Sequence, residues 1–271
     1  MKILVAGDVC PTASTEKFLV NGDLSAAFGD VRSVSTGADA FLINLECALT
    51  AAETAIRKYG PNLKAAPECA QALRGFGVTD AGLANNHIYD YGRKGYFDTL
   101  RALEEAGIRY TGVGMNAQCA RKKHTIALDG KSICLIAVGD REYSYALANR
   151  EGIRVFDPID TIEDVRDARN DSDFIIVTYH GGSEQCRYPS PRVRKLCQAM
   201  VRAGADLVLC QHSHCIGAME KYEGKMILYG QGNFYFNLAE EEDNPHWKNG
   251  LLLEIDMDSN MTPAYRFYPV K

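Results

Sequence analysis

The sequence predicts an α/β fold in which mixed β-sheets are flanked by helices. Strand-like segments alternate with helical segments over the first two thirds of the 271 residues, and strands dominate the end. Several strand-like segments are apolar up to their last residue, which is typical of strands buried on both faces. The chain is long enough for one large core, and we expect a single domain over residues 1–271.

Apolar runs bounded by turn-forming residues predict the strands, and helical spacing with a nearby Pro or Gly predicts the helices. The predicted strands are residues 2–6, 40–44, 78–84, 108–110, 125–128, 132–138, 174–179, 207–210, 226–229, 234–236, 251–257 and 264–270. The predicted helices are residues 67–76, 95–106, 161–169 and 191–203.

Turn residues predict how some of these elements connect. Gly7 is expected to end the first strand in a sharp turn. Asp129 and Gly130 predict a hairpin between two strands. The last two strands alternate well enough to form a closing antiparallel pair, and the helix at 95–106 should turn Phe97, Leu100 and Leu103 inward.

Composition excludes several classes of protein. The net charge is −5 and the basic residues are scattered, so no nucleic-acid partner is expected. No apolar run is long enough for a transmembrane segment, and residues 1–6 are too short for a signal peptide, so the chain as given is expected to be soluble and cytoplasmic. Nine cysteines without paired C-x-x-C spacing favour reduced thiols over a disulfide framework.

Polar residues follow the apolar strands at five places. His212 and His214 come directly after the strand at 207–210, and on an extended backbone their side chains would point the same way. Four other strands end in metal-type or acid/base residues, namely Asp8, Glu46, Asn86 with His87, and His180. Because ligands gather at the carboxyl ends of such strands, this set predicts a site for two divalent metals. The alternative is that one histidine caps its strand and the other is solvated.

The order of these residues resembles that of the calcineurin-like metallophosphoesterases, and more closely their CapA-type poly-γ-glutamate capsule-synthesis branch. The matching segments are Gly7-Asp8, Asn44-Leu45-Glu46, Ala84-Asn85-Asn86-His87 with Asp90-Tyr91-Gly92, His180-Gly181-Gly182-Ser183-Glu184, His212-Ser213-His214 and Gly232-Asn233-Phe234.

The resemblance implies a four-layer α-β-β-α sandwich with two metal ions at its rim. Glu46 would bridge the metals, Asp8 and His214 would serve one, and Asn86, His180 and His212 would serve the other. The ions would be manganese, zinc or iron, and would make hydroxide available for attack on phosphorus. His87 would protonate the leaving oxygen or stabilise the charge on phosphate. Asp90 would either orient that imidazole or serve only as a turn former.

The chain departs from the superfamily pattern in its first two motifs. Cys10 stands where classical members carry a histidine, and Glu46 replaces the usual bridging aspartate. Cys10 either binds metal as a thiolate or is a buried thiol. The sequence also leaves open whether residues 51–64 form a lid over the site or a surface loop.

A second group of candidates is weaker. Glu184 and Arg187 follow His180 and are candidate substrate contacts, because an arginine there could clamp a phosphate or a carboxylate. Arg141 is similar. For each arginine the alternative is a solvated surface side chain. Asn233 is interpreted as a turn residue supporting the rim.

Two functions follow from these observations. The first is a metal-dependent hydrolase of the CapA type, acting on a phosphorylated small molecule, an acyl phosphate or a poly-γ-glutamate-like substrate. The second is a non-catalytic scaffold that holds an acidic polymer or a partner protein during capsule assembly. The presence of both Asn86 and His87 favours chemistry, whereas Cys10 favours the scaffold.

Overall fold

A computed structural model describes residues 1–12, 14–140, 142–241 and 243–271 of the chain. The strands are β1 (Lys2–Cys10), β2 (Ala40–Leu45), β3 (Ala48–Leu49), β4 (Lys64–Ala65), β5 (Asp80–Gly82), β6 (Arg109–Thr111), β7 (Val113–Gly114), β8 (His124–Leu128), β9 (Lys131–Gly139), β10 (Gly152–Ile153), β11 (Phe174–His180), β12 (Leu207–Gln211), β13 (Met219–Tyr222), β14 (Lys225–Leu228), β15 (Asn233–Phe236), β16 (Gly250–Met257) and β17 (Pro263–Val270). The helices are α1 (Glu16–Val20), α2 (Leu24–Phe28), α3 (Val31–Ser35), α4 (Cys69–Phe76), α5 (Gly92–Ala106), α6 (Ala117–Ala120), α7 (Pro158–Arg169) and α8 (Pro191–Ala203), with short 3₁₀ turns at Glu142–Ser144 and Ala239–Glu241.

Two large sheets form the centre of the fold. The first has the order β17-β16-β1-β2-β5-β6, and β15 also pairs with β1. The second has the order β13-β14-β12-β11-β9-β8. The strands β1, β2, β5 and β6 are parallel to one another, as are β9, β11, β12 and β14. Each sheet therefore gathers the carboxyl ends of several strands at one edge.

Alternating side chains of the strands separate the core into three apolar layers. Ile3 and Leu42 of the first sheet pack with Ile176 of the second sheet, between the two sheets. Their neighbours Leu4 and Phe41 point the other way, into the layer beneath helices α1 to α5. Helices α7 and α8 cover the outer face of the second sheet. The result is a four-layer α-β-β-α sandwich, which confirms the predicted fold class.

The first strand is longer than predicted, and the predicted turn at Gly7 is wrong. The strand continues to Cys10, and its register with β2 shifts between Val5 and Asp8. A side-chain carbon on Gly7 would lie 2.0 Å from the carbonyl oxygen of Gly232, so glycine is needed there for a close approach of two backbones. The amide of Asp8 donates to that same oxygen at 3.1 Å. This bulge places the Asp8 side chain at the edge of the sheet.

Most of the other elements follow the sequence prediction. Helix α8 has the predicted bounds, and the hairpin between β8 and β9 turns at Asp129 and Gly130, both with positive φ. Strands β16 and β17 pair antiparallel as expected. Helix α5 buries Leu103 fully, whereas Phe97 and Leu100 are only partly buried because Tyr96 takes the most enclosed position.

A buried polar cluster joins the two sheets. Asp80 of β5 accepts from Arg109 at 2.8 Å and lies 2.6 Å from Nε2 of His124, which belongs to β8 in the other sheet. Burial raises the pKa of Asp80, but the hydrogen bonds from His124 and Arg109 outweigh it and hold that pKa below its usual value. The cluster therefore depends on a charged carboxylate.

None of the helices in the described part of the chain is long and apolar enough to cross a lipid bilayer.

Candidate dinuclear metal centre

The edges of the two sheets bring together six of the polar residues that follow strands in the sequence. Two groups of potential ligand atoms result, each with all its atoms within 4.8 Å of one another. The first group is Asp8, Glu46 and His214, and the second is Glu46, His180 and His212. The sixth residue, Asn86, joins the second group, since its Oδ1 lies 2.7 Å from Nε2 of His180. Glu46 belongs to both groups.

The carboxylate of Glu46, which both ligand groups share, is fully buried. Neither of its oxygens accepts a hydrogen bond from any described residue. Its nearest polar neighbours are Nε2 of His180, 3.2 Å from Oε1, and Nε2 of His214, 3.7 Å from the same oxygen. Burial raises the pKa of Glu46, but the two imidazoles outweigh that effect and lower it below its usual range. The carboxylate is thus an anion that needs positive charge.

The first group is oriented by residues around His214. Its Nδ1 lies 2.9 Å from Oδ1 of Asn233 and 3.3 Å from Oδ2 of Asp8, and its ring lies 4.4 Å from that of Trp247. Asn233 in turn donates to the carbonyl of Trp247 at 3.0 Å. Burial lowers the pKa of His214, but Glu46 and Asp8 raise it to about 9. Positive charge is therefore favoured at this position.

The sequence suggested only that Asn233 supports a turn. In the structure Asn233 also contacts His214. A donor bond from Nδ1 of His214 to the amide oxygen leaves Nε2 directed at Glu46, which is the usual way in which an outer residue fixes a metal-binding histidine. The sequence signal was its place in the segment Gly232-Asn233-Phe234, but its partner is 19 residues away.

The second group lies at the end of β11. His180 is the last residue of that strand and is buried, with Nδ1 3.1 Å from Nδ2 of Asn44. The same Asn44 nitrogen donates to Oδ1 of Asp8 at 2.8 Å. Asn44 therefore links the two groups, and sequence reasoning missed this role because it treated the residue only as part of the Asn44-Leu45-Glu46 segment.

The two histidines after β12 are not on an extended backbone, so the predicted reason for their proximity is wrong. The strand ends at Gln211, and φ is +81° at His212 and +50° at His214, a conformation that costs free energy for such side chains. The amide of His212 donates to Oδ2 of Asp8 at 3.2 Å, which helps to hold this turn. The centres of the two rings are 5.8 Å apart, and His214 belongs to the first ligand group whereas His212 belongs to the second.

His87 and Asp90 lie together beside the second group. Nδ1 of His87 is 2.6 Å from Oδ2 of Asp90, and Asp90 is fully buried. Asn85 holds the segment in place, because its Oδ1 accepts from the amides of His87 and Ile88 at 3.1 Å each and its Nδ2 donates to the carbonyl of Leu45 at 2.8 Å. Asp90 is therefore in direct contact with the imidazole of His87.

Cys10 belongs to neither ligand group. It is buried in the apolar layer under the helices, and burial together with its contact to Cys47 raises its pKa well above the usual value. All nine cysteines are free thiols. Within the described residues no cysteine belongs to either ligand group, so the interpretation of Cys10 as a buried thiol fits the structure better.

The weaker candidates lie at different places. Oε1 of Glu184 is 3.6 Å from Nε2 of His212, and its side chain is 60 % exposed, so it lies at the open side of the second group. Arg187 is exposed and donates from Nε to the carbonyl of Ile216 at 3.1 Å, which ties down its own loop. Arg141 lies outside the described residues.

The donor set fits two divalent cations. Carboxylate, amide and imidazole atoms surround a buried anion that accepts no hydrogen bond from the described part of the chain, and mixed nitrogen and oxygen donors suit manganese, iron or zinc. A cation in each group would supply the positive charge that the protonated imidazole of His214 supplies in its absence.

The four-layer sandwich is of the metallophosphoesterase type, and two adjoining groups of potential metal ligands lie at its edge. The chain belongs to the bacterial capsule synthesis protein family PGA_cap, whose sequence profile matches residues 2–238. The fold class and the family both agree with the resemblance inferred from the motifs.

Relatives carry names from capsule synthesis. The chain is 32 % identical over 215 residues to the capsule biosynthesis protein CapA of Bacillus anthracis, covering 77 % of this chain and 51 % of that protein. It is 28 % identical over 212 residues to the PGA biosynthesis protein CapA of Bacillus subtilis, covering 77 % and 55 %. A probable polyglutamine synthesis accessory protein of Mycobacterium tuberculosis is 32 % identical over 213 residues, covering 73 % and 56 %. The chain thus spans about half the length of these relatives.

Solved structures share the fold. The crystal structure of a hypothetical protein from Thermus thermophilus superposes with a TM-score of 0.59 at 12 % identity, covering 100 % of both chains. That of TT1561 from the same organism gives 0.52 at 13 % identity, covering 100 % of this chain and 99 % of the other. At this identity the likeness concerns the fold alone.

Proposed function

We propose that the chain is a metal-dependent hydrolase that cleaves a phosphoester or a related acyl phosphate. The observation that carries this proposal is the buried carboxylate of Glu46, which is shared by two ligand groups and accepts no hydrogen bond from a described residue. A buried anion without donors is costly unless a cation compensates it. Two cations at this place would make hydroxide available near neutral pH and offset the charge on phosphate.

The residues of the chain have distinct tasks in this proposal. Asp8, Glu46 and His214 would hold one cation, and Glu46, His180, His212 and Asn86 would hold the other. His87 donates the proton to the leaving oxygen from Nε2, because Nδ1 is engaged by Asp90 at 2.6 Å. Exposed Glu184, at 3.6 Å from His212, contacts the substrate at the open side of the centre.

The biological setting follows from the family. The proposed substrate is an intermediate or a product of poly-γ-glutamate capsule synthesis, since the relatives carry names from capsule, PGA or polyglutamine synthesis. The chemistry of the site is tested first, and the substrate after it.

The experiment measures bound metal and turnover in the same preparations. Purified protein is loaded with manganese, zinc or iron, analysed for metal per chain, and assayed with p-nitrophenyl phosphate and bis-p-nitrophenyl phosphate. We expect two metals per chain and turnover that is lost in Asn86→Ala and His180→Ala. The matched control is Asn249→Ala, because Asn249 donates to the carbonyl of Pro245 on an exposed segment and should change neither quantity.

Two results would contradict the proposal. Bound metal that is unchanged in both His180→Ala and His212→Ala would show that the centre lies elsewhere. Two bound metals without turnover of any phosphoester would remove the hydrolase function and leave a metal-containing scaffold for an acidic polymer or a partner protein.

A further inference from the structure

A buried lysine contacts the pair formed by His87 and Asp90. The side chain of Lys58 is 4 % exposed, and its Nζ lies 3.1 Å from Nδ1 of His87 and forms an ion pair with Oδ1 of Asp90. The same nitrogen is 3.4 Å from the carbonyl of Asn86. Lysine is rarely this enclosed unless it is paired, and the partner of Lys58 is Asp90.

The segment that carries Lys58 is attached to Asp90 at three points. Residues 51–63 contain no helix or strand, yet the amide of Ile56 donates to the carbonyl of Asp90 at 2.8 Å. The amide of Leu63 donates to Oδ2 of Asp90 at 2.7 Å, and Lys58 pairs with Oδ1. The segment thus packs directly against the His87 motif, where the sequence left a lid and a surface loop as alternatives.

Both carboxylate oxygens of Asp90 take part in hydrogen bonds. A separation of 2.6 Å between Nδ1 of His87 and Oδ2 of Asp90 requires a proton between them, and the acceptor is the carboxylate. Lys58 then donates to Oδ1 of Asp90 and lies beside Nδ1 of His87 without a hydrogen bond to it, because a protonated Nδ1 has no lone pair to accept one. With both of its oxygens engaged, the carboxylate cannot rotate away from the imidazole.

We infer that Lys58 is a positioning residue for proton donation by His87, acting through Asp90. Lys58 would hold Asp90, and Asp90 would hold the imidazole of His87 so that its Nε2 faces the leaving oxygen. Lys58 lies about 30 residues before the other two in the sequence. This inference rests on the proposed hydrolase function. Outer residues of this kind typically change activity by about 10- to 100-fold.

The first test uses the leaving group. In zinc-loaded protein, Lys58→Met should lower kcat for phenyl phosphate by about 10- to 100-fold. The effect of Lys58→Met on p-nitrophenyl phosphate turnover should be several-fold smaller. Phenol has a pKa of about 10, so phenolate needs protonation by an acid as it leaves, whereas p-nitrophenolate is less basic and needs less. KM should change little, and Lys58→Arg should restore most of the loss.

The matched control is Lys64→Met. Lys64 belongs to the same stretch of chain, and its Nζ donates to the carbonyl of Ala52 and lies over the ring of Tyr91 rather than at His87. Lys64→Met should leave kcat for both substrates unchanged. Metal content and thermal melting of every variant show whether the fold and the centre are retained.

The second test is a double-mutant cycle. If Lys58 acts through His87, Lys58→Met should lower phenyl phosphate turnover by less than about twofold once His87→Ala is present, since coupled residues are not additive. Equal losses with both leaving groups, or fully additive losses in the cycle, would overturn the inference.

A third readout does not depend on turnover. The proton on Nδ1 of His87 should give a far-downfield NMR signal in zinc-loaded protein that is absent in His87→Ala. This signal should be lost through exchange with water in Lys58→Met and kept in Lys58→Arg. An unchanged signal in Lys58→Met would overturn the inference, and a lost signal in a protein without turnover would support it while refuting the hydrolase function.

Discussion

The substitution Glu46→Gln tests the candidate centre most directly. The amide has nearly the same size, so the fold should persist, and the carboxylate accepts no hydrogen bond from a described residue that would have to be replaced. What changes is the charge shared by both ligand groups. We therefore expect a folded protein whose response to metal is largely lost.

The size of the effect follows from the linkage of binding and stability. At a metal concentration 100 times Kd, each ion stabilises the folded protein by about 2.7 kcal/mol. Two ions therefore add about 5 kcal/mol, and because about 1 kcal/mol moves the melting temperature of a chain of this size by roughly 2–4 °C, the rise is about 10–20 °C. A 100-fold weaker affinity in Glu46→Gln leaves about 0.4 kcal/mol per ion, a rise of about 2–3 °C.

The assay is thermal melting with and without manganese or zinc, together with metal analysis after desalting. Glu254→Gln is the matched control, since Glu254 is also a buried glutamate but pairs with Arg266 and Lys2 away from the ligand groups. Its metal-dependent rise should equal that of the unaltered protein. Two metals per chain and a full rise in Glu46→Gln would refute our reasoning about the centre.

Three further predictions concern single buried residues. Asn85→Ala should lower the free energy of unfolding in urea by about 3 kcal/mol, because buried backbone groups lose their partner, whereas a change below about 1 kcal/mol would contradict this. Cys10→Ala should leave the metal content unchanged, and loss of one metal would make Cys10 a ligand. Asp80→Asn should destabilise the protein at pH 7, as measured by urea unfolding. Because the folded-state pKa of Asp80 is lowered, that difference should shrink as pH falls below about 4, and a difference that grows in acid would contradict the assignment.

Local patterns were sufficient for most of the secondary structure. Helix α8 begins at a proline after a serine cap and ends before Gly204, and each of these signals acts within a few residues. The hairpin at Asp129 and Gly130 is equally local, since both residues adopt the positive φ that its turn requires. The three short helices between residues 16 and 35 were not predicted, because helices of five residues have too few turns to show a period.

The order of polar residues at strand ends was also readable from the sequence. Parallel strands of one sheet place their carboxyl ends at one edge, so Asp8 and Glu46 could be expected to meet there, and His180 marks the corresponding edge of the second sheet. The structure brings them together and divides the set into two groups that share Glu46. Their role as metal ligands remains a prediction that the experiments above test.

What the sequence alone determined, then, was the class of fold, most of the elements and the residues at the strand ends, because these depend on periodicity and local turn chemistry. Tertiary structure decided the rest. Three contacts show this. Lys58 is buried against Asp90, 32 positions away, and Asp80 pairs with His124, 44 positions away. Gly7 closely approaches Gly232, 225 positions away. No local pattern encodes such contacts, because they arise only when the two sheets and the segment 51–63 have packed together.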